Sequence, residues 1–157
     1  MKINEHHLWL GRVVGNLQGL ELVLRLFLCE ALKESVDVPK AGTTAVKETH
    51  LTNWASLRML VDEYNGQLTE AESRHRVDDR VVGVRNALAH GRLLSRSPDP
   101  PVTLYRFGQP KDGTVPYVGE TTLTEEWFRE NAELVTAQIS SVVACARARG
   151  HESFPED

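Results

Sequence analysis

Residues Arg85-Asn86-Ala87-Leu88-Ala89-His90-Gly91 carry the chemistry this chain can offer. They set a guanidinium, an amide and an imidazole close together, with a glycine to end a helix. Arginine grips two phosphate oxygens at once and keeps its charge at any working pH. Histidine is the side chain whose unperturbed pKa, about 6.5, suits proton transfer near neutrality. An arginine and a histidine five positions apart are the minimum equipment for phosphodiester cleavage without a metal ion. Asn86 and His90 lie four apart and share one face of a helix. Arg85 lies one residue off that stripe, and its long side chain is expected to swing across.

The helices that must position these groups follow from the spacing of apolar residues. Behind Asn4 as N-cap, a first helix is predicted over about Glu5–Glu34, with Leu10, Val13, Leu17, Leu20, Leu24, Leu28 and Ala31 as its buried stripe. Leu22 and Leu26 give it a second apolar side, which calls for a partner subunit. Gly11, Gly15 and Gly19 recur along another edge, each weakening the helix unless a second backbone comes close. Residues 36–51 read as a polar loop. A second helix follows Thr52 or Asn53, with Trp54, Leu57, Val61 and Tyr64 inward, and ends at Asn65-Gly66. A third opens on the capping box Thr69-x-x-Glu72, buries Val77, Val81, Val84 and Leu88, and ends at His90-Gly91. Gly83 leaves a gap beside the motif.

Ser97-Pro98-Asp99-Pro100-Pro101 breaks the pattern. Val102–Phe107 and Thr114–Thr121 then read as two strands around the turn Gln109–Gly113. Thr124 caps the last helix, stapled by Leu123 and Phe128, with Phe128, Val135, Ile139, Val142 and Ala146 inward; the seven residues after Gly150 are expected to fray. The expected fold is all-α: one domain over residues 1–157, an antiparallel four-helix bundle with a β-hairpin at about 101–122 inserted before the last helix.

Composition narrows the class. With 41% hydrophobic and 25% charged residues the 157-residue chain can bury a core, which sets it apart from disordered chains. Cys29 and Cys145 fall within apolar helical patterns, and no disulfide framework or zinc spacing is present. The first residues lack a signal-peptide pattern. The apolar run Leu8–Leu28 is interrupted by Arg12, Glu21 and Arg25, which are costly in lipid, so no membrane partner is expected and the location read is cytoplasmic. The net charge of −4 argues against a general nucleic-acid coat. Yet residues 74–96 hold six arginines and two acids, +4 in all, leaving −8 for the rest. That patch suits one anionic ligand site, or equally a solvated helix face. Of the six histidines, His6, His7, His50, His75 and His151 have no partners at metal-ligating spacing and read as surface residues; no metal and no cofactor is expected. Trp9, Trp54 and Trp127 read as core packing near helix starts.

The Arg85-Asn86-x-x-x-His90 run, followed by Gly91, resembles the signature of the HEPN superfamily, in which an arginine, a polar residue and a histidine close a helix of an all-helical domain. The resemblance implies a metal-independent endoribonuclease in which two protomers face their motifs across a shared cleft. It assigns Asn86 to orienting the phosphate or imidazole, Arg85 to neutralising the phosphoryl oxygens, and His90 to proton transfer as the ribose 2′-OH attacks. It implies a homodimer, RNA as partner, and toxin or phage-defence roles with a cognate antitoxin. DNA, lacking the 2′-OH, is expected to be inert. Arg80, Arg92 and Arg96 are candidate contacts to RNA phosphates. The alternative function is a non-catalytic bundle of the same type that binds a nucleotide, RNA or protein. On a purely structural reading, Arg85 pairs with Glu21 or Asp79, His90 caps the last helical carbonyls, and Asn86 is an internal hydrogen-bond donor.

Overall fold

Apolar spacing of three and four residues builds α1 over Ile3–Ala31 and α4 over Glu125–Ala148, the two long helices of the protein. Between them come α2 (Leu57–Gln67), a 3-10 helix (Glu70–His75), α3 (Arg80–His90) and the strands β1 (Arg92–Leu94), β2 (Val102–Phe107) and β3 (Tyr117–Leu123). The computed structural model describes residues 1–36, 40–95 and 101–155. Pro39, Arg96 and the breaker residues 97–100 lie outside them.

The expectation of an all-α bundle is overturned. The fold is mixed, with five helices, 55% helical residues and 12% in a three-stranded antiparallel sheet ordered β1-β2-β3. The added strand is Arg92–Leu94, directly after the motif helix and paired as Arg92↔Tyr105, Leu93↔Leu104 and Leu94↔Thr103. Three residues, two of them leucine, give no alternation for a sequence pattern to detect. β3 runs to Leu123, past the expected end at Thr121, and pairs with β2.

The chain packs as two compact units. The first comprises residues 1–17 and 80–135. Its core is Val13, Leu17, Val81, Val82, Leu104, Leu123, Phe128, Ala132 and Val135. His6, expected at the surface, is 2% exposed and its ring lies 5.1 Å from that of Phe128. Burial holds its pKa below the ordinary value, with His7 adding to the effect. The oxygen of Thr124 accepts a hydrogen bond from the Trp127 amide, capping α4 as its sequence requires.

The second unit comprises residues 18–79 and 136–157 and buries Leu20, Leu24, Phe27, Leu28, Leu57, Leu60, Val61, Tyr64, Val77 and Val142. Here α2 starts later than expected, capped by Ser56, whose hydroxyl accepts from the Met59 amide. Asn53 is used differently. Its Oδ1 accepts from Ala55 N (3.1 Å) and from Arg25 Nη1 (2.8 Å), a short-range turn that leaves Trp54 fully exposed instead of inward. Asn65, expected to end α2, lies inside it. Buried, it grips Val77 through both its donor (3.0 Å) and its acceptor (2.8 Å), replacing a backbone pairing. The Thr69–Glu72 capping box forms, but it opens the 3-10 helix, and the motif helix begins separately at Arg80. Residues 151–155, expected to fray with the last two, are held in place. Glu30 accepts the amides of Glu152 (2.7 Å) and Ser153 (2.5 Å), and Phe154 is buried.

Candidate functional site

Around α3 the residues sort by angle. At about 100° per residue, Gly83, Asn86, Ala87 and His90 fall on one face, and all four line an open concavity of about 350 Å³. Gly91 and the hairpin residues Arg106, Phe107 and Val118 complete its wall. This concavity lies within the first unit. Its volume falls within the roughly 300–1,000 Å³ of small-ligand sites.

Asn86 and His90 are exposed. Among the described residues, neither side chain has a hydrogen-bond partner. The role of capping the last helical carbonyls, a structural alternative for His90, is taken by Arg92. Its Nη1 donates to the His90 carbonyl (3.1 Å) and reaches toward that of Gly91 (3.4 Å). Arg92, expected at a phosphate, is thus turned back on the helix end. Arg80 starts α3, about ten residues and so roughly 15 Å of helix away from His90, and has an interaction within the chain. Arg96 lies outside the described residues.

Arg85 is where the expectation of a single constellation fails. It sits about 200° around the helix from Gly83, does not line the concavity, is half-buried, and has an interaction of its own within the chain. The structure brings Asn86 and His90 to the concavity and leaves Arg85 out of its lining.

Gly91 is required by contact rather than by an unusual backbone angle. A Cβ there would run into the Ala87 carbonyl oxygen and Leu104 Cδ1, while the Gly91 amide still donates to Ala87 O at 2.8 Å. The chain passes from the last helical turn straight into β1, and β2 lies against the helix end through Leu104. Gly83, as expected, leaves space: nothing stands within 4 Å of where its Cβ would be.

Arg106 and Phe107 escaped the sequence reading. Adjacent residues of a strand normally face opposite sides, which would have dispersed them. The pairing steps from Arg106↔Gly119 to Phe107↔Tyr117, leaving Val118 as an extra residue of β3 beside them, and Arg106, Phe107 and Val118 all line the concavity. Gly119 at φ +148° holds a conformation disfavoured for other residues, and Arg106 Nη2 lies 3.4 Å from its missing Cβ position.

The second unit contains a different polar cluster. His50 Nδ1 lies 3.0 Å from Glu34 Oε2, and His50 Nε2 lies 3.0 Å from Glu63 Oε1. Burial alone would lower the imidazole pKa, but the two carboxylates outweigh it and raise it. The His50 amide bond and the imidazole pull the Glu34 carboxyl below its ordinary value against burial. Arg25 donates to the carbonyls of His50 (2.7 Å), Asn53 (3.2 Å) and Ala55 (2.8 Å), fixing the loop before α2. Nearby in sequence terms but on other elements, Glu72 is held well below the carboxylate range by its Arg149 pair (2.6 Å) and the Thr69 amide. These clusters read as structural, since their charged groups pair with one another and with neighbouring backbone. Among the described residues no group of three or more His, Cys, Asp or Glu side chains is disposed to hold a metal ion. No helix among them is long and apolar enough to cross a membrane.

Compared with models of protein families, with curated proteins and with solved structures, the chain matches none.

Proposed function

We propose that this protein is a metal-independent endoribonuclease of HEPN type that works in the cytoplasm as a homodimer. One observation carries the reading: Asn86 and His90, uncommitted to any partner among the described residues, face a concavity whose other polar lining group is a guanidinium. In the reaction, the ribose 2′-oxygen attacks the adjacent phosphorus and the bond from phosphorus to the 5′-oxygen breaks. The products are a 2′,3′-cyclic phosphate and a 5′-hydroxyl. His90 takes the 2′-OH proton, and the second copy's imidazole returns one to the leaving oxygen. Asn86 orients the phosphate. Arg85, which faces away from the concavity of its own protomer, contributes to charge neutralisation only in a cleft shared by two copies. Activity is therefore tied to dimer formation. The half-exposed Leu22 (49%) on α1 supports an association surface.

Purified protein in excess chelator should cut single-stranded RNA and leave DNA of the same sequence intact. Activity lost to chelator and restored by a divalent ion would overturn the mechanism. His90→Ala should keep its melting temperature and lose most turnover. Arg85→Lys keeps charge but loses the two-pronged grip, and should lose turnover too. Light scattering should give about twice the 17.6 kDa chain mass; a concentration-independent monomer would refute the shared cleft.

A second reading, that the same concavity binds RNA without cutting it, is favoured by the placement of Arg85. It predicts binding without products under every condition. A toxin or phage-defence role, with a cognate antitoxin as partner, is proposed on the resemblance alone.

A further inference from the structure

We infer that the tip of the β2–β3 hairpin is the nucleotide-binding wall of this site: Arg106 engages a backbone phosphate and the Phe107 ring stacks on an unpaired base of single-stranded RNA. The inference rests on the proposal that the concavity is an RNA site, and adds residues that no part of the Arg85–His90 motif supplies.

Three observations support it. The first is geometric. Arg106 and Phe107, successive on β2 beside the register step that leaves Val118 unpaired on β3, line one concavity with Asn86 and His90, where regular pleating would have separated them. The second is electrostatic. Among the described residues nothing pairs with the Arg106 guanidinium, and no acid lines the concavity. The carboxylate opposite β2, Glu120, instead accepts from the Tyr117 hydroxyl at 3.2 Å. A cation so placed, in a chain of net charge −4, suits a phosphate held locally. The third is apolar. Phe107 lines the concavity while 44% exposed, and Tyr117 packs edge-on against its ring at 6.2 Å. An aromatic face beside a cation is the pairing that single-stranded nucleic acid uses, base on ring and phosphate on guanidinium. In a duplex the bases are stacked on each other and cannot reach the ring.

The test measures binding apart from cutting. In a His90→Ala background, anisotropy of a fluorescein-labelled single-stranded RNA 10-mer should show Arg106→Gln and Phe107→Leu each weakening binding about tenfold. Phe107→Tyr should restore it. Arg106→Gln should also flatten the dependence of log Kd on log salt concentration by about 0.7, the loss of one phosphate contact to a single strand. A passive structural role would leave that slope unmoved. Both side chains are exposed, so thermal melting should be unchanged and certifies each variant's fold. A duplex of the same sequence and free 5′-AMP should compete poorly.

Failure of this inference and failure of the nuclease reading separate cleanly. Wild-type cleavage together with unchanged binding and turnover in both hairpin variants would overturn the hairpin wall and leave the nuclease standing. Binding that depends on Arg106 and Phe107 without cleavage by wild type would support the wall and overturn the nuclease. AMP competing as well as the 10-mer would make this a mononucleotide site and overturn the RNA assignment. No binding of RNA by wild type would overturn both.

Discussion

Two glycines eight residues apart, Gly83 on the motif helix and Gly91 just past its end, should respond in opposite ways to the same added methyl group. At Gly91 the new Cβ would press on the Ala87 carbonyl oxygen and on Leu104, whose Cδ1 and Cγ (3.1 Å) both stand in its way. Neither neighbour can yield at low cost. One is backbone in the last helical turn; the other is 1% exposed and locked in the core. Overpacking of this kind costs about 1–3 kcal/mol. In a chain of this size each kcal/mol lowers the melting temperature by about 2–4 °C. The relief has to come from β2 moving off the helix end, and that motion carries Arg106 and Phe107 away from Asn86 and His90. A displacement of about 1 Å at a reacting site costs about 10²-fold in rate, so Gly91→Ala should lose RNA turnover out of proportion to its stability. Gly83→Ala meets nothing within 4 Å. Helix propensity alone should make it more stable by about 0.5–1 kcal/mol, while its methyl narrows the concavity and weakens RNA binding. Differential scanning calorimetry and gel-based cleavage on both variants check the pair. A Gly91→Ala protein that melts and cuts like wild type would refute the assignment of Gly91 to close packing. A Gly83→Ala protein that melts lower would refute the open space beside α3.

Two further outcomes concern the second unit. The His50 pKa is raised in the fold above its ordinary 6.5, so its stabilisation is complete below about pH 6.5 and is lost as pH climbs through the folded value; melting temperature measured across that range should fall with rising pH, and His50→Gln should flatten the curve. An unchanged curve would remove the Glu34–His50–Glu63 bridge as a stabilising element. Arg25→Lys keeps a charge but cannot reach three carbonyls in a fork. It should destabilise by about 1–3 kcal/mol because the carbonyls left in the half-buried loop lose their donor, a loss that urea denaturation would measure.

What could be read from the sequence was local. Asn86, His90 and Gly83 share a face because helical periodicity fixes angle from spacing, and all three line the concavity. The same arithmetic places Arg85 on the other side; the expectation that its length would bridge the gap overlooked that the far face is half-buried and already occupied by its interactions. Thr124, Leu123 and Phe128 announced the start of α4 through capping chemistry that needs only neighbouring residues. Non-local facts were hidden. The strand Arg92–Leu94 exists because β2 lies alongside it, and the site that Arg106 and Phe107 share with Val118 includes a register step between β2 and β3 that no single strand encodes. Trp54 looked like core by its spacing to Leu57 and Val61. It is exposed because Arg25, distant in sequence, draws the preceding loop into turns that end before the helix begins.

The carboxylate of Glu30 has consequences for the order of events during synthesis. It belongs to the first helix, yet the two amides it accepts lie 122 and 123 residues later, with Phe154 buried just beyond them. At the roughly 5–20 residues per second of translation, this end of α1 waits several seconds or more for its clasp. During that interval Phe27 lacks the cover of the His151 ring, 4.9 Å from it, and of the Arg149 guanidinium, 5.0 Å above it. Until residues 150–154 have been made, this end of α1 stays open to holding chaperones, and a ribosome stalled short of residue 150 would present a first helix whose end cannot close.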